Sequence, residues 1–355
     1  MASVMYVATD AGVLTLRSGD GVTWNVESHG VRDWSVFEIA VAPAALNRAF
    51  AATRGDGVWS TEDFGTSWKK PCYGKPGPGK VRCVTIDPHD PNTIFVGTEP
   101  IDIFVSENSG KSWSRLDSIR QVPWVDTVQY PLPAVEPHIR DIVIHPKDPN
   151  TIYAALQVGY ILMSNDRGKS WKLLDNGLDS DVHTLAINFK DPDTMFAATG
   201  GHDCRKGSAA GRALYRTPDG GESWVSTATE YSQEYSVPLV MHPEDPDVIY
   251  SAVANGHPGL WRRPTGAESL IIRTTDGGQT WQKLDNGPEE LRNNFAFALA
   301  IDQQKPEQLY AALGRGVSGE KMGDGDLFAS TDGGDSWVKT GVKIPSVYDM
   351  KCAQA

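Results

Sequence analysis

The chain has 355 residues, ample for a large core, and sets 33 Lys and Arg against 45 Asp and Glu, a net charge of −12. That balance argues against a general nucleic-acid binder and against an anionic-membrane binder, since both need basic faces. Four cysteines (Cys72, Cys83, Cys204, Cys352) without C-x-x-C spacing, no apolar run long enough for a membrane helix and no secretion-signal pattern in Met1–Asp10 lead to the expectation of a cytoplasmic protein with free thiols.

In chain order, two signatures alternate. Met5–Ala8 reads as a strand and is followed by Ser18–Trp24, S-G-D-G-V-T-W. The same octet pattern, Ser/Thr-x-Asp-x-Gly-x-Ser/Thr-Trp, returns at Thr61–Trp68, Ser106–Trp113 (Asn in place of Asp), Ser164–Trp171, Thr217–Trp224, Thr274–Trp281 and Ser330–Trp337. Asp caps neighbouring backbone N–H groups, Gly supplies positive φ, the hydroxyls close side-chain-to-backbone bonds, and Trp begins the next strand. Seven copies of one position, Asp in six and Asn in one, argue for a structural corner rather than a catalytic carboxylate. Upstream of the later boxes lies a strand–turn–strand pattern with Asp and Pro in its corner, as at Val84–Gly97, V-T-I-D-P-H-D-P-N-T-I-F-V-G, and at Ile142–Ala155, Leu185–Ala198, Leu239–Ala252 and Leu299–Ala312, with a looser form at Ile39–Ala52. With the strands flanking each box this makes four strands per unit, the content of a propeller blade.

These boxes resemble the BNR or Asp-box repeats that form β-propeller blades in sialidases, sortilin-type receptors, some glycoside hydrolases and a photosystem assembly factor. The resemblance covers nearly the whole chain and implies a fold, not an activity. The expectation is therefore an all-β, seven-bladed β-propeller of four-stranded blades, one domain over residues 1–355. The C-terminal strand at Ser346–Cys352 should complete the N-terminal blade and close the ring.

Successive box tryptophans lie 44 and 45 residues apart in the first two repeats and 53–58 apart in the later ones. The added chain falls in Leu116–Pro137, Thr199–Arg212, Ala254–Ser269 and Gly314–Asp326, all on the face opposite the boxes, which makes that face the expected binding surface. Aligning the inner strands on their apolar pairs places Phe37, Arg82, Arg140, His183, Val237, Phe297 and Tyr348 in one ring at the loop-bearing mouth of the channel. Ser35, Lys80, His138, Asp181, Tyr235, Phe295 and Ser346 fall in a neighbouring ring.

The candidate chemistry follows from those residue types. Arg82 and Arg140 suit a carboxylate, phosphate or sulfonate; the alternative is that they pair with Glu38 and Asp141 between blades. His183 and His138 are candidate acid–base groups, Tyr348 a hydrogen-bond donor to developing negative charge, and Glu38 and Asp141 candidate catalytic carboxylates. Phe37, Phe297, Tyr235, Trp124 and Trp261 are candidates for packing on a substrate. A divalent metal on His138, His183, His202 and His257 is a further option, without a recognisable ligand spacing to support it. The sialidase arginine motif F-R-I-P is absent, and the available carboxylates Glu38, Asp141, Asp181 and Asp349 select no glycosidase pair by spacing. The leading expectation is a small anionic or polar molecule bound in the funnel, with hydrolase or lyase chemistry. The alternatives are a protein-interaction or assembly scaffold, with Trp124 and Trp261 as anchors, and a carbohydrate-active glycosidase.

Overall fold

A computed structural model describes residues 2–43, 45–71, 77–130, 135–205, 213–261, 264–313 and 325–354, with the side chains of 204 and 205 outside that description. Seven antiparallel sheets follow one another around a ring, six of four strands and one of three. The expected closure is present: Val347–Gln354 pairs antiparallel with Ser3–Thr9, Met350 opposite Val7 and Cys352 opposite Met5, so one blade takes its inner strand from the C-terminus. We number this blade 1 and the others 2–7 in chain order. Blade 2 departs from four full strands: its outermost strand is reduced to a single bridge between Ser60 and Lys69. Among the described residues no helix is long and apolar enough to cross a membrane.

The boxes are turns, for the reasons their residues imply. In blade 5, Asp219 accepts from the Ser223 backbone N–H at 2.9 Å and from the Ser223 and Thr217 hydroxyls at 2.6 Å. The Thr217 hydroxyl also accepts from the Gly221 N–H at 3.1 Å, and Gly221 has φ of 94°. In blade 6 the same hydrogen bonds hold the Asp276 carboxyl down at about 2, the Thr280 hydroxyl and N–H being the main causes. A box also reaches back to the preceding blade, as where the Thr227 hydroxyl donates to Gly278 O. His145 and His242 complete the opposite strand corners on this face, each Nδ1 accepting from two backbone N–H groups. The core lies between blades rather than in one centre, as separate clusters of buried Ile, Leu, Val, Ala and aromatic side chains.

All seven inner strands share one irregularity. Each carries a β-bulge near its start: at Phe37 (strand Val36–Ala42), Arg82 (Val81–Asp87), Arg140 (Ile139–Ile144), His183 (Val182–Ile187), Val237–Pro238 (Tyr235–Met241), Phe297 (Ala296–Ile301) and Tyr348 (Val347–Gln354). A bulge breaks the strict alternation of sides and re-aims a side chain. Here it turns two consecutive residues toward the channel where a regular strand would turn one.

Candidate functional site: the loop-face mouth of the channel

The bulge residues line one cavity of about 100 Å³, and six of their successors, Glu38, Asp141, Thr184, Pro238, Ala298 and Asp349, line it with them. The whole ring expected from the sequence is thus brought together. The second ring is not part of this cavity: His138, Asp181, Tyr235, Phe295 and Ser346 are buried around it.

The mouth divides into two sectors. On blades 2–4 three guanidiniums converge on Phe37 and Tyr348. Arg82 Cζ lies 4.2 Å from the Phe37 ring centroid and Arg54 Cζ 6.0 Å from it; Phe37 and Tyr348 meet edge to face at 4.9 Å. Burial raises the Tyr348 hydroxyl above its usual range and Asp10 adds to this, while Arg54, Arg82 and Arg140 oppose it. Arg82 is not paired with Glu38, as the inter-blade alternative supposed. It is clamped by Glu99, buried at 4 % exposure, with Nε donating at 2.7 Å and a second contact from its terminal nitrogen. Burial lowers Arg82 to about 10 against the pull of Glu99, with Arg140 and Arg54 pushing the same way as burial. Arg140 makes no direct contact with a carboxylate among the described residues: its expected partner, Asp141, feels its charge but accepts from Leu185 N–H of blade 5.

On blades 5–7 the sector is aromatic. Tyr235 meets His183, Trp261 and Phe295 with centroids 5.1, 5.3 and 5.6 Å away, and Phe297 packs on Phe295 at 5.0 Å and on Trp261 at 5.6 Å. Trp261 Nε1 donates to Asn255 O at 2.9 Å. Trp261 is therefore packed into this aromatic cluster rather than a free stacking platform, and Trp124 likewise packs on a blade core with Ile119 and Val125. Among the described residues, Trp34, at 36 % exposure, is the large aromatic presented to solvent.

The carboxylates expected to be catalytic hold the ring together. Glu38 accepts from Val84 N–H of blade 3 at 2.8 Å, Asp141 from Leu185 N–H of blade 5 at 2.8 Å, and Asp349 from Ile39 N–H of blade 2 at 3.0 Å. Burial raises Glu38 well above the usual carboxylate range, with Asp141 adding to it, and burial raises Asp141 to about 6. Lys351 lies below them, 2.8 Å from Asp349; burial works against its ammonium, but Asp349, Glu38 and Asp141 outweigh it and hold its pKa above the ordinary value.

The histidines are engaged elsewhere. His183 Nδ1 donates to Ser236 O at 2.6 Å, and Nε2 sits 3.3 Å from Asp181. His138 Nδ1 donates to Glu136 O at 2.8 Å, and burial holds the ring neutral, pushing it well below its ordinary pKa. His257 Nδ1 accepts from Gly259 N–H at 3.2 Å. Among the described residues no three His, Cys, Asp or Glu side chains are grouped to hold a metal, so the four histidines are not a common ligand set. The insertion at 314–326 falls almost wholly outside the described residues, as do positions 206–212 of the insertion at 199–212. Sequence reasoning missed Arg54, Glu99 and Lys351, and named Asp349 only as an available carboxylate that spacing could not pair. Asp349 and Lys351 follow from the alignment once the bulge is known, whereas Glu99 comes from a loop that no strand pattern places.

The sequence profile of the Sortilin-Vps10 family (sortilin, neurotensin receptor 3) matches residues 159–312. A xyloglucanase of Paenibacillus sp. is 24% identical over 221 residues, 56% of this chain and 20% of that protein. The photosystem II assembly lipoprotein Ycf48 of Synechococcus sp. (strain CC9902) is 25% identical over 169 residues, 47% of this chain and 39% of that protein. The chain thus spans well under half the length of these curated relatives. Among solved structures, the GH74 xyloglucanase from Xanthomonas campestris aligns with TM-score 0.62 at 16% identity, covering 86% of this chain and 45% of that one. The structure described as YCF48 bound to D1 peptide aligns with TM-score 0.56 at 15% identity, covering 87% of this chain and 90% of that one. At these identities the solved structures establish the fold: the chain is a seven-bladed Asp-box β-propeller.

Proposed function

We propose that the loop-face mouth is an anion-binding site that takes the carboxylate of a polypeptide partner, and that the chain acts as a binding module. One observation carries this reading: Arg140 lines the mouth without a direct ion pair or hydrogen bond to a carboxylate among the described residues, beside Arg54 and Arg82, in a chain of net charge −12. A guanidinium presents a planar donor fork suited to a carboxylate. The cavity, at about 100 Å³, admits an acid group, whereas pockets for whole small-molecule ligands run to about 300–1,000 Å³. Tyr348 and Phe37 would flank the bound group, and Trp34 would offer apolar contact outside. Ycf48, a relative described as an assembly factor and solved with a peptide, supports the polypeptide class.

The test is calorimetric titration with a Glu-rich hexapeptide in free-carboxylate and amidated forms, with acetate alongside. The free peptide is expected to bind more tightly than either control. Arg140→Ala is expected to weaken it by about 10- to 100-fold, the worth of a hydrogen bond to a charged group. Equal binding by the amidated peptide, or by an Arg54→Ala/Arg140→Ala variant, would overturn the reading.

A second reading, hydrolase chemistry on a glycoside, draws on the xyloglucanase relatives and on the raised carboxylates Glu38 and Asp141. It requires release of reducing sugar from xyloglucan that disappears in Glu38→Gln and Asp141→Asn. The engagement of both carboxylates by the next blade and the size of the mouth favour the binding reading.

A further inference from the structure

The channel has a second end, on the box face, to which the binding reading assigns nothing. It opens there into a cavity of about 450 Å³, several times the volume of the loop-face mouth and within the range of about 300–1,000 Å³ usual for small-molecule sites. Its walls are aliphatic: Val41, Ile86, Met241, Ile301 and Met350 line it, each from a different blade. The Thr85 hydroxyl on this wall is spent on Ile142 O at 2.6 Å, and Gln303 is exposed just past the end of its strand. Among the described residues that line the chamber, the charged side chains are Glu38 and Lys351. Both also line the loop-face mouth, so they stand at the inner end of the chamber, where the two cavities meet.

Those two groups offer opposite things to a ligand. The Lys351 ammonium has three donors and no acceptor; one donor is given to Asp349 at 2.8 Å, and the side chain is 41% exposed. The Glu38 carboxyl accepts from Val84 N–H through one oxygen at 2.8 Å and keeps capacity for a second donor. Neither sign of charge is in excess at the chamber. Lys351 is neutralised by Asp349, which lines the other cavity, and burial holds the Glu38 carboxyl well above its usual range, toward the uncharged form. A ligand ammonium would stand beside Lys351, and a ligand carboxylate beside Glu38 with Asp349 behind it. Each would give up hydration without gaining an unopposed counter-charge, which is costly. A hydroxyl fits both groups at once: it accepts from the ammonium and donates to the carboxyl.

We propose that the box-face chamber is a binding site for a small neutral aliphatic alcohol, its hydroxyl seated between Lys351 and Glu38 and its hydrocarbon stem lying along Val41, Ile86, Met241 and Ile301. The site needs no occupant at the other mouth.

The experiment is titration of the whole chain with n-hexanol, its isomer methyl pentyl ether, n-hexanoate and n-hexylammonium, followed by calorimetry and by the ligands' own NMR line widths. The ether fills the same volume and accepts a hydrogen bond but cannot donate one. Hexanol is expected to bind about threefold to tenfold more tightly than the ether, the worth of one neutral hydrogen bond, and at least about tenfold more tightly than either charged analogue. Lys351→Met removes the donor and the balancing charge together, so hexanol is expected to weaken by about tenfold while hexylammonium gains on it. Ala40→Leu, which narrows the chamber, is expected to weaken hexanol and the ether alike. Melting curves confirm that both variants fold, and the comparison of the four ligands on the unmodified chain stands without them. No detectable hexanol binding, ether binding as tight as the alcohol, a charged analogue that matches it, or hexanol affinity unchanged in a folded Lys351→Met would each overturn the assignment.

Discussion

Ring closure by the C-terminal strand should be measurable through Met350. This side chain is 1% exposed, faces Val7 across the closing pair, and packs in the cluster that joins blades 1 and 7 with Leu16, Tyr310 and Leu327. Truncating a buried Met to Ala costs about 2–5 kcal/mol through lost contacts and the cavity left behind. The unfolding entropy of about 2.1 cal/mol/K per residue, over the 355 residues of the chain, gives about 0.75 kcal/mol/K. A loss of about 3 kcal/mol in Met350→Ala therefore lowers Tm by about 4 °C. Deleting residues 346–355 removes Val347, Met350 and Cys352 together, about 2 kcal/mol each, and strips the hydrogen-bond partner from Ser3–Thr9. That variant should melt at least about 8 °C lower, or lose its cooperative transition. Scanning calorimetry reads both, with Val225→Ala, at a position 59% exposed, as the control that should barely move. If Met350→Ala and the deletion both melt at the wild-type temperature, the ends do not close the ring and the argument fails.

Two further predictions test the assignment of carboxylates. Burial raises Asp141 above its ordinary value, to about 6, so the stability it permits at acid pH is lost as pH rises through the window from about 4 to 6; Asp141→Asn, which keeps an acceptor for Leu185 N–H, should flatten the fall of Tm across that window, and an unchanged slope would refute the burial argument. The box aspartates have lowered pKa values and titrate below this window, so they do not mask it. Asp219→Ala, which removes three hydrogen bonds of an exposed corner, should cost about 1 kcal/mol in a urea melt and leave ligand binding untouched; a loss of binding would mean the box aspartates do more than build turns.

How much could be read in advance follows from how local each signal is. An Asp, a Gly at positive φ and a Trp at fixed spacing encode one corner through bonds that span four residues, so the seven blades were legible in the sequence. The inner ring was also legible, but its residues reach the channel for a reason that strict alternation does not supply. The bulge at Arg82, Arg140 or Phe297 has no residue signature: Phe, Arg, His, Val and Tyr all occupy it. Because it turns the following residue inward too, Asp349, a carboxylate that spacing alone could not assign, joins the site, with Lys351 below it. Partners from loops were the least accessible. Arg82 sits beside Glu38 in the aligned strands, yet pairs with Glu99, and that choice depends on where the chain runs after the second strand of the blade.

The same bulge explains why charged groups are tolerated in the channel at all. A blade-to-blade seam at this depth needs an acceptor for a backbone N–H of the next inner strand. Blades 1, 2 and 4 supply it with Asp349, Glu38 and Asp141, whereas Thr184 of blade 5 donates instead to Val237 O at 2.8 Å, and the equivalent positions of blades 6 and 7 are Pro238 and Ala298. The anionic latches therefore fall in the half of the ring that carries Arg54, Arg82 and Arg140 above and Lys351 below. The latches and the cations limit each other's desolvation cost, because opposite charges at short range in a low-dielectric channel compensate what burial takes away. Among the described residues blades 5–7 have no such layer: Val237 and Phe297 line the mouth there, with Tyr235, Phe295 and Trp261 packed behind Phe297. A ligand entering the mouth thus meets charge on one side and the apolar Val237 and Phe297 on the other. An acid group adjoining an apolar one matches both sectors at once, whereas an inorganic anion satisfies only the first.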